Sequence, residues 1–376
     1  MIRKSDIQWW LLEARKDPAA APGIIEALAS RLAELDTENE RLRDELIRLR
    51  RGTAPPPDSA QVGELQRKVD SLQAILKGQA STETAVILIS DAMQVVRMPL
   101  SQVRLRLRGQ EPALTRSAVL SVCTVLLARP QDDLLLLSSQ GRLRGLSLHK
   151  VPFQVEENRW PTLDASTHPA GEQAAAAVAV AKPPRFWTVV TRRGYVRQLL
   201  RVHVDKQVGE DDVVVKSPFH HDAPVAIVDG DRGDLFLITR WGKAIRFPQR
   251  AIGVKGVVAM EVDPDDEIVA ALPIASDGEI LILTAAGYAM RRDTTRFRAQ
   301  SKVGGPGKAF IQAFDVLGAF HYAERGKLLY LTYSGHFVAV KTAGIATLER
   351  ASRGSLVHDL SKDPAVAVTF VPGALL

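Results

Sequence analysis

DLFLITRWGKAIRFPQR, residues 234–250, is the stretch of sequence that decides the fold of this protein. An apolar run of strand length, rich in β-branched and aromatic residues, leads into a turn that ends at Gly242. Glycine readily adopts the positive φ that such a turn requires. From Lys243 to Phe247, polar and apolar residues alternate as they do in a half-exposed strand. The stretch therefore predicts a β-hairpin whose returning strand is basic.

The same hairpin pattern occurs at five other places in the chain. The turns of the six copies are separated by 49, 53, 48, 45 and 48 residues. A period of this length built from hairpins is typical of propeller blades and not of helical solenoids. Because one hairpin cannot bury its apolar face alone, we expect the copies to stack. The other copies are 85–100, 133–148, 185–200, 279–292 and 327–341, and the six turn residues are Ala92, Gly141, Gly194, Gly242, Gly287 and Gly335.

A further apolar segment precedes each hairpin except the first. The composition of the alanine-rich segment 174–181 favours a helix, but its place in the repeat predicts a strand. The segment 365–371 follows the last hairpin and has no hairpin after it. We expect it to pair with the first hairpin and complete the first blade, because ring closure removes the exposed sheet edges. The other preceding segments include 118–127, 223–228 and 267–274.

Four of the six turns share the motif Thr-x-x-Gly. The order of apolar strand, Thr-x-x-Gly and basic strand resembles the blades of the C-terminal domain of DNA gyrase A, which also occurs in topoisomerase IV. The loops 254–274 and 303–314 add to the resemblance, which covers about residues 81–376. It implies a six-bladed β-pinwheel whose basic outer rim binds and bends DNA. The motifs are Thr191–Gly194, Thr239–Gly242, Thr284–Gly287 and Thr332–Gly335.

The sequence departs from that family in two respects. The gyrase domain carries a Gln-Arg-Arg-Gly-Gly-Lys-Gly box needed for chiral wrapping, and no such string occurs in this chain. The stretches most similar to the box are GVKG at 253–256 and SRG at 352–354. The catalytic region of the topoisomerase is also missing, so the resemblance implies DNA binding without strand cleavage.

The excess of basic residues falls in the repeat region. The net charge is +6, and residues 1–80 hold equal numbers of basic and acidic side chains. Clustered Arg and Lys neutralise DNA phosphates and release counterions, and a merely solvated basic surface is the alternative. No helix has the character of a base-reading element, so we expect binding independent of base sequence. The candidate DNA-binding residues are Arg192, Arg193, Arg197, Arg201, Arg240, Lys243, Arg246, Arg250, Lys255, Arg291, Arg292, Arg296, Arg298, Lys302 and Lys308.

A heptad pattern precedes the repeats. Leucines occupy one seam position throughout, and Asn39 interrupts the apolar residues of the other. A buried Asn at such a position favours a parallel dimer at some cost in stability. Opposite charges flank the seam in that register, as at Glu38 and Arg43, which an amphipathic helix packed on the propeller would not explain. The expected dimerisation residues are Ile25, Leu28, Leu32, Leu35, Asn39, Leu42, Leu46 and Leu49.

These patterns divide the chain into five segments. Three consecutive prolines at 55–57 end the heptads, since proline cannot continue a helix and forms a stiff spacer. The predicted segments are a short helical cap at 1–23, a parallel dimeric coiled coil at 24–52, a proline-rich linker at 53–61, a second short helix at 62–80 and a mainly β, six-bladed propeller at 81–376.

Few residues have the spacing of a catalytic or metal site. His220, His221 and Asp222 are adjacent, but no third ligand cluster accompanies them, which favours a surface loop. The segment GGPGK at 304–308 lacks the spacing and the final Ser or Thr of a phosphate-binding loop. A topoisomerase needs a tyrosine nucleophile in a helical cleavage domain, and all five tyrosines fall in the repeats. We therefore predict no enzymatic activity, no cofactor and no metal.

The compartment follows from what the sequence lacks. Cys123 is the single cysteine, so no internal disulfide forms, which fits a reducing compartment. No apolar run approaches membrane-spanning length. The N-terminus has neither the apolar core nor the cleavage site of a signal peptide. We expect a cytoplasmic, nucleoid-associated protein.

Two functions from different classes remain open. In the first, two pinwheels on a coiled coil form a homodimer that holds double-stranded DNA at two places, bends or bridges it, or presents it to a type II topoisomerase. In the second, the propeller has lost DNA binding and serves as a protein-docking platform. Whether the basic residues form a continuous rim in three dimensions distinguishes these hypotheses.

Overall fold

The computed structural model describes residues 37, 40, 41, 43, 83–148, 151, 172–208, 210, 213–231, 233–373 and 375. The chain divides into two compact units, Met1–Gln79 and Ala80–Leu376. In the first unit, Thr37, Glu40, Arg41 and Arg43 are helical and exposed. None of the four occupies a seam position of the heptads. The seam residues, the cap at 1–23, the linker at 53–61 and the helix at 62–80 lie outside the described residues, so the coiled coil and the dimer stay predictions.

The second unit is mainly β. Each central strand of a hairpin is buried from its second residue onward, as the apolar runs predict. The strands are β1 Ala85–Ser90, β2 Val95–Pro99, β3 Val122–Ala128, β4 Asp133–Ser138, β5 Leu143–Ser147, β6 Ala174–Val180, β7 Phe186–Thr191, β8 Tyr195–Leu200, β9 Pro224–Asp229, β10 Asp234–Thr239, β11 Lys243–Pro248, β12 Val257–Val258, β13 Ile268–Ile274, β14 Glu279–Thr284, β15 Tyr288–Asp293, β16 Lys308–Ala309, β17 Val316–His321, β18 Lys327–Thr332, β19 Phe337–Lys341, β20 Ser355–Leu356 and β21 Ala365–Val371. The helices are α1 Leu100–Gly109, α2 Arg116–Leu120 and α3 Arg201–Gln207, and 3₁₀ turns occur at Gln249–Ala251 and Thr294–Arg296.

The strands form six antiparallel sheets, which we call blades 1 to 6 in chain order. Every hairpin predicted from the repeat is present, and the alanine-rich segment is strand β6, which confirms the expectation from the repeat. In each blade the next long apolar strand after the hairpin pairs with its central strand, and these strands are β3, β6, β9, β13, β17 and β21. The sheet orders are β2-β1-β3, β5-β4-β6, β12-β8-β7-β9, β13-β10-β11-β16, β17-β14-β15-β20 and β19-β18-β21.

The predicted closure was wrong. Strand β21, expected to complete the first blade, pairs with β18 of the sixth hairpin, and the first hairpin is completed by β3. Each apolar segment therefore belongs to the hairpin before it and not to the one after it. Elements close in sequence usually lie side by side, and pairing each apolar strand with the central strand of the hairpin before it leaves no blade incomplete. The segment 118–127 also differs from expectation, because its first residues lie in α2.

Side chains from neighbouring blades close the six sheets into a ring. Alternate residues of a strand point to opposite faces. Val86 and Leu88 accordingly pack with residues of blade 6, whereas Ile87 and Ile89 pack with residues of blade 2. Six such clusters fill the six spaces between blades. The innermost strands β3, β6, β9, β13, β17 and β21 contact one another in turn, and β21 contacts β3. Closure is thus made by packing between blades.

We call the segment after each hairpin the strap, and in the described residues the straps of five hairpins bond to the preceding blade of the ring. Strand β12 follows the fourth hairpin but pairs with β8 of blade 3. In the same way, β16 follows the fifth hairpin and pairs with β11 of blade 4, and β20 follows the sixth and pairs with β15 of blade 5. The first strap completes the circle. Pro112 bridges to His336, and the amide of Ala113 donates to the carbonyl of Gly335 at 2.7 Å, both in blade 6.

The Thr-x-x-Gly motif has a specific role in attaching the straps. Gly242 has a φ of 78°, and its carbonyl accepts the amides of Phe310 and Ile311 in the strap of the fifth hairpin. A Cβ at Gly242 would overlap the carbonyl oxygen of Ile311, so only glycine fits. The buried hydroxyl of Thr239 accepts the amide of Lys243 at 3.2 Å and holds the turn closed.

The first turn departs from the prediction by one residue. Met93 and not Ala92 takes the positive φ, at 57°. Ser90 occupies the place of the motif threonine, and its hydroxyl accepts the amide of Gln94 at 3.1 Å.

Candidate nucleic-acid interface

Three loops at the outer edges of blades 3, 4 and 5 concentrate positive charge. They connect a hairpin to the strap strand of the preceding blade, and we call 249–258, 294–309 and 342–356 the outer loops. Together they hold eight basic residues and one acidic residue, Glu349. The equivalent segment of blade 2, 201–215, holds two basic and four acidic residues. The positive charge of the outer loops of blades 3 to 5 is therefore absent from the equivalent segment of blade 2.

Most outer-loop cations are available to a ligand. Arg296 pairs with Glu349, and the guanidinium of Arg353 lies 4.1 Å from the centre of the Tyr288 ring. The side chains of the other six are exposed and have no hydrogen-bond or ion-pair partner among the described residues. Exposed cations without protein partners are the ones that can neutralise phosphates. The six are Arg250, Lys255, Arg298, Lys302, Lys308 and Arg350.

The local chain geometry explains why these side chains face outward. Lys308 lies in β16, which is the last strand of its sheet and pairs with Lys243 and Ala244 on one side only. Lys255 precedes Gly256, whose φ of 79° turns the chain into β12. The carbonyl of Lys255 accepts the Tyr195 hydroxyl at 2.7 Å, which ties the loop to blade 3 and leaves the ammonium in solvent.

Two of the eight outer-loop cations, Arg350 and Arg353, were not among the candidates predicted from the sequence. Arg353 precedes Gly354, which has a φ of 83°, just as Lys255 precedes Gly256. The stretches compared above with the gyrase box, 253–256 and 352–354, thus occupy equivalent places in two outer loops. Aligning the straps as well as the hairpins would have identified both arginines.

Arg193, by contrast, is committed to the structure of the propeller. Its guanidinium donates to the carbonyls of Val262, Asp263, Pro264 and Asp266 at 2.9–3.2 Å. All four carbonyls lie in the strap of the fourth hairpin, between β12 and β13. Arg193 therefore binds the start of the next innermost strand to the turn of blade 3.

Arg197 and Arg246 are likewise occupied. Arg197 donates to the carbonyl of Val254 at 2.8 Å and to that of Val214 at 2.9 Å, and so joins two straps. Arg246 forms ion pairs with Asp234 at 2.7 Å and Asp277 at 2.9 Å. These guanidiniums fix the chain segments that carry the outer loops.

Arg291 and Arg292 also have protein partners. Arg291 pairs with Glu279 and stacks on Tyr322, 3.7 Å from its ring centre. The guanidinium lowers the pKa of the Glu279 carboxyl, and Glu279 in turn raises the pKa of Arg291. Arg292 lies over Phe310 and donates to its carbonyl at 3.1 Å, and burial lowers the pKa of Arg292.

The remaining candidates lie near the hairpin turns or on α3, and each has an acidic partner. Arg192 and Arg240 both contact Glu267, and Lys243 pairs with Asp263 at 2.6 Å. Arg201 pairs with Asp205 on α3 at 3.3 Å. These ion pairs are exposed, so each contributes little to stability, and a competing anion can displace the acidic partner.

The described residues contain no group of three or more His, Cys, Asp or Glu side chains arranged to hold a metal ion. The carboxylate of Asp222 accepts the Arg193 amide and the Ser217 hydroxyl, so it closes a turn. Within the same part of the chain, no helix is long and apolar enough to cross a membrane.

Comparisons with known proteins agree with this architecture. A family model described as the DNA gyrase C-terminal domain, beta-propeller, matches residues 233–275 and 278–305. DNA gyrase A of Haloquadratum walsbyi is 26% identical over 307 residues, which cover 76% of this chain and 36% of that protein. The Escherichia coli gyrase A protein is 22% identical over 315 residues, with 77% and 35% covered. This chain thus spans about a third of the length of these relatives.

Two solved structures share the fold. The DNA gyrase A C-terminal domain superposes with a TM-score of 0.59 at 17% identity, covering 77% of this chain and 100% of that one. The C-terminal domain of DNA topoisomerase IV gives 0.56 at 20% identity, covering 78% and 95%. The compact unit Ala80–Leu376 is therefore a β-pinwheel similar to the C-terminal domains of DNA gyrase A and topoisomerase IV.

Proposed function

We propose that this protein binds double-stranded DNA without sequence preference along the outer edges of blades 3 to 5. The observation that carries the proposal is the set of six exposed cations without protein partners in the outer loops, beside a single acidic residue. A phosphate backbone is a dense line of negative charge, and an arc of unpaired cations complements it. The relatives named as DNA gyrase A proteins support the same assignment.

The geometry favours contacts to the backbone over contacts to bases. The six cations lie in loops, in the three-residue 3₁₀ turn Gln249–Ala251 and on the two-residue strand β16, and none lies on a helix long enough to enter the major groove. Phosphate contacts position a protein on the duplex but carry no sequence information. Because the arc follows a curved ring, a duplex that contacts all three loops bends toward the protein, and the contacts must offset the bending energy.

Dimerisation through the heptads would make the protein bivalent. A parallel coiled coil of residues 24–52 joins two pinwheels, and the linker at 53–61 sets how far apart they reach. A second binding event within one dimer is intramolecular, so avidity for long DNA exceeds that of one pinwheel. Bridging of two segments, in the cytoplasm and beside a type II topoisomerase, is the role that we propose for the dimer.

The proposed role is non-catalytic. Tyr195 donates its hydroxyl to the carbonyl of Lys255, and Tyr288, Tyr322 and Tyr333 each lie under an arginine. Tyr330 is fully buried, and burial raises its pKa. A nucleophilic side chain needs activation, such as a lowered pKa, and the raised pKa of Tyr330 is the opposite of that. We expect the pure protein neither to relax nor to supercoil a plasmid, with or without ATP. Relaxation abolished by substituting one tyrosine would contradict a non-catalytic role.

One observation favours the alternative of a protein-docking platform. Phe314 is 78% exposed and meets the Trp241 ring edge to face, with ring centres 6.1 Å apart, at the turn of blade 4. Aromatic residues of this kind are frequent anchors in protein interfaces. Docking would be the better assignment if two results were found together. The wild-type protein would bind no DNA at low salt, and Phe314→Ser would abolish the binding of a protein partner.

The deciding experiment measures binding of the full chain to linear duplexes of unrelated sequence over a salt series. We expect equal affinities for all sequences and a steep loss with salt. No binding at about 50 mM salt, where phosphate contacts are strong, would overturn the proposal.

A further inference from the structure

The outer edge of blade 6 is built differently from the edges that carry the proposed DNA contacts. Strand β19 is the last strand of its sheet, and only His336, just before it, bridges to the first strap, at Pro112. Helix α1 forms the start of that strap. It contacts β19 at the edge of blade 6, the position at which blades 3 to 5 each carry an outer loop. In the ring, α1 therefore occupies the next outer-loop position after that of blade 5.

Helix α1 presents two exposed arginines on one face. Arg104 and Arg108 are four residues apart, which places them on the same side of the helix. Arg106 lies between them in sequence but is buried and donates to the carbonyl of Pro112, so it fixes the helix to its strap. The segment 100–114 holds three basic residues and one acidic residue. Its charge has the sign of the outer loops of blades 3 to 5.

These arginines line an open groove of about 980 Å³ between α1 and blade 6. Asp363 is its one acidic lining residue, and it accepts hydrogen bonds from the amide and the hydroxyl of Ser334. His358, from the strap that follows β20 of blade 5, lies at the other side. The other lining residues are Leu107, Gln110, Lys327, His336, Phe337, Val338 and Ala339.

We propose that the groove between α1 and blade 6 is a fourth phosphate-contact site, on which the DNA path continues from the outer loop of blade 5. This inference rests on the proposed function. The lining carries three cations against one carboxylate, it is open to solvent, and His358 connects it to blade 5. Those features suit an extended phosphodiester chain. The path ends before blade 2, because the equivalent segment 201–215 carries more acidic than basic residues, and in the sequence the segment 149–171 also has an acidic excess.

The test compares full-length Arg104→Ala/Arg108→Ala with wild type on a series of duplexes of increasing length. Each phosphate contact contributes about 0.9 to the slope of log affinity against log salt, so losing two lowers the slope by about 1.8. On long duplexes, wild type should therefore lose about twelvefold more affinity than the variant between about 50 and 200 mM salt. On duplexes too short to pass blade 5, the two proteins should bind alike.

The controls separate charge from fold. Arg104→Lys/Arg108→Lys should keep the wild-type slope, because lysine also contacts phosphate as a point charge. Arg129→Ala/Lys182→Ala removes the same charge from exposed turns between blades and should leave the slope unchanged. If loss of the bond from Arg104 to the Leu375 carbonyl unfolds the double variant, Arg108→Ala alone should lower the slope by about 0.9.

The outcomes distinguish the two proposals. If wild type binds no duplex, the proposed function fails. If wild type binds but the arginine variant keeps its slope at every length, only the groove is excluded. An equal loss on the shortest duplexes would mean that the arginines act on the ring as a whole, which also overturns the groove proposal.

Discussion

Removing one free cation from each outer loop should reduce the salt dependence of DNA binding by a calculable amount. The substitutions are Lys255→Ala, Lys308→Ala and Arg350→Ala, all at exposed side chains without partners among the described residues. If each of the six free cations contacts one phosphate, the slope for wild type is about −5.4, and the triple variant retains about −2.7. Between about 50 and 200 mM salt, wild type should lose roughly 10³ in affinity and the variant roughly 40-fold.

The assay is fluorescence anisotropy with a labelled linear duplex at five or more salt concentrations. A matched control removes Arg129, Lys182 and Arg325, which are exposed in turns between an innermost strand and the next hairpin. Both triple variants change the net charge by the same amount, so long-range attraction falls equally. We expect the control to keep the wild-type slope. Thermal unfolding of all three proteins checks that the fold is unchanged.

Two results would refute the reasoning. A triple variant with the wild-type slope would show that the outer loops do not contact phosphates. Equal reductions in the variant and the control would show that binding follows net charge, so that the arc has no special role. Either result would favour the docking alternative at Phe314 and Trp241.

Three further predictions concern stability and assembly. Gly242→Ala should lower the free energy of unfolding by about 2 kcal/mol or more, because a positive φ is costly for alanine and the Cβ overlaps the strap; Gly278→Ala, where a Cβ meets nothing within 4 Å, should have little effect in the same thermal unfolding assay. Arg193→Ala should also cost about 2 kcal/mol, through four lost carbonyl contacts, without changing the salt slope. The exposed neighbour Arg192→Ala should leave stability unchanged, and the reverse order would contradict the assignment of Arg193. By light scattering the full chain should be a dimer and Leu42→Glu a monomer with the same propeller melting temperature; a monomeric wild type would remove the coiled coil and the bivalent mechanism.

Much of the propeller was predictable because its strands are specified locally. Runs such as LFLI in β10 are apolar on both faces, which only a strand between two neighbouring sheets satisfies. The glycine of each Thr-x-x-Gly motif marks the turn because of its φ. Period and hairpin number followed directly, and the resemblance to the gyrase domain rests on the same residues.

The roles of individual arginines were not predictable from clustering in sequence. Arg193 and Lys255 look equally basic in a linear sequence. The Arg193 guanidinium, however, donates hydrogen bonds to four carbonyls, whereas the Lys255 ammonium is exposed to solvent. The carbonyls that Arg193 binds lie about seventy residues away, and their approach depends on the strap crossing to the preceding blade. The groove at α1 was missed for the same reason, since the first and last blades meet only when the ring closes.

The sequence by itself determined the six hairpins, five of their turns and the excess of positive charge, because each depends on residues close together along the chain. Tertiary structure alone decided which hairpin each following strand completes, how the ring closes and which cations stay free. These depend on contacts between segments far apart in sequence. An apolar strand has the same local pattern whichever neighbour it joins, and an arginine has the same charge whether or not a distant carbonyl accepts its hydrogen bonds.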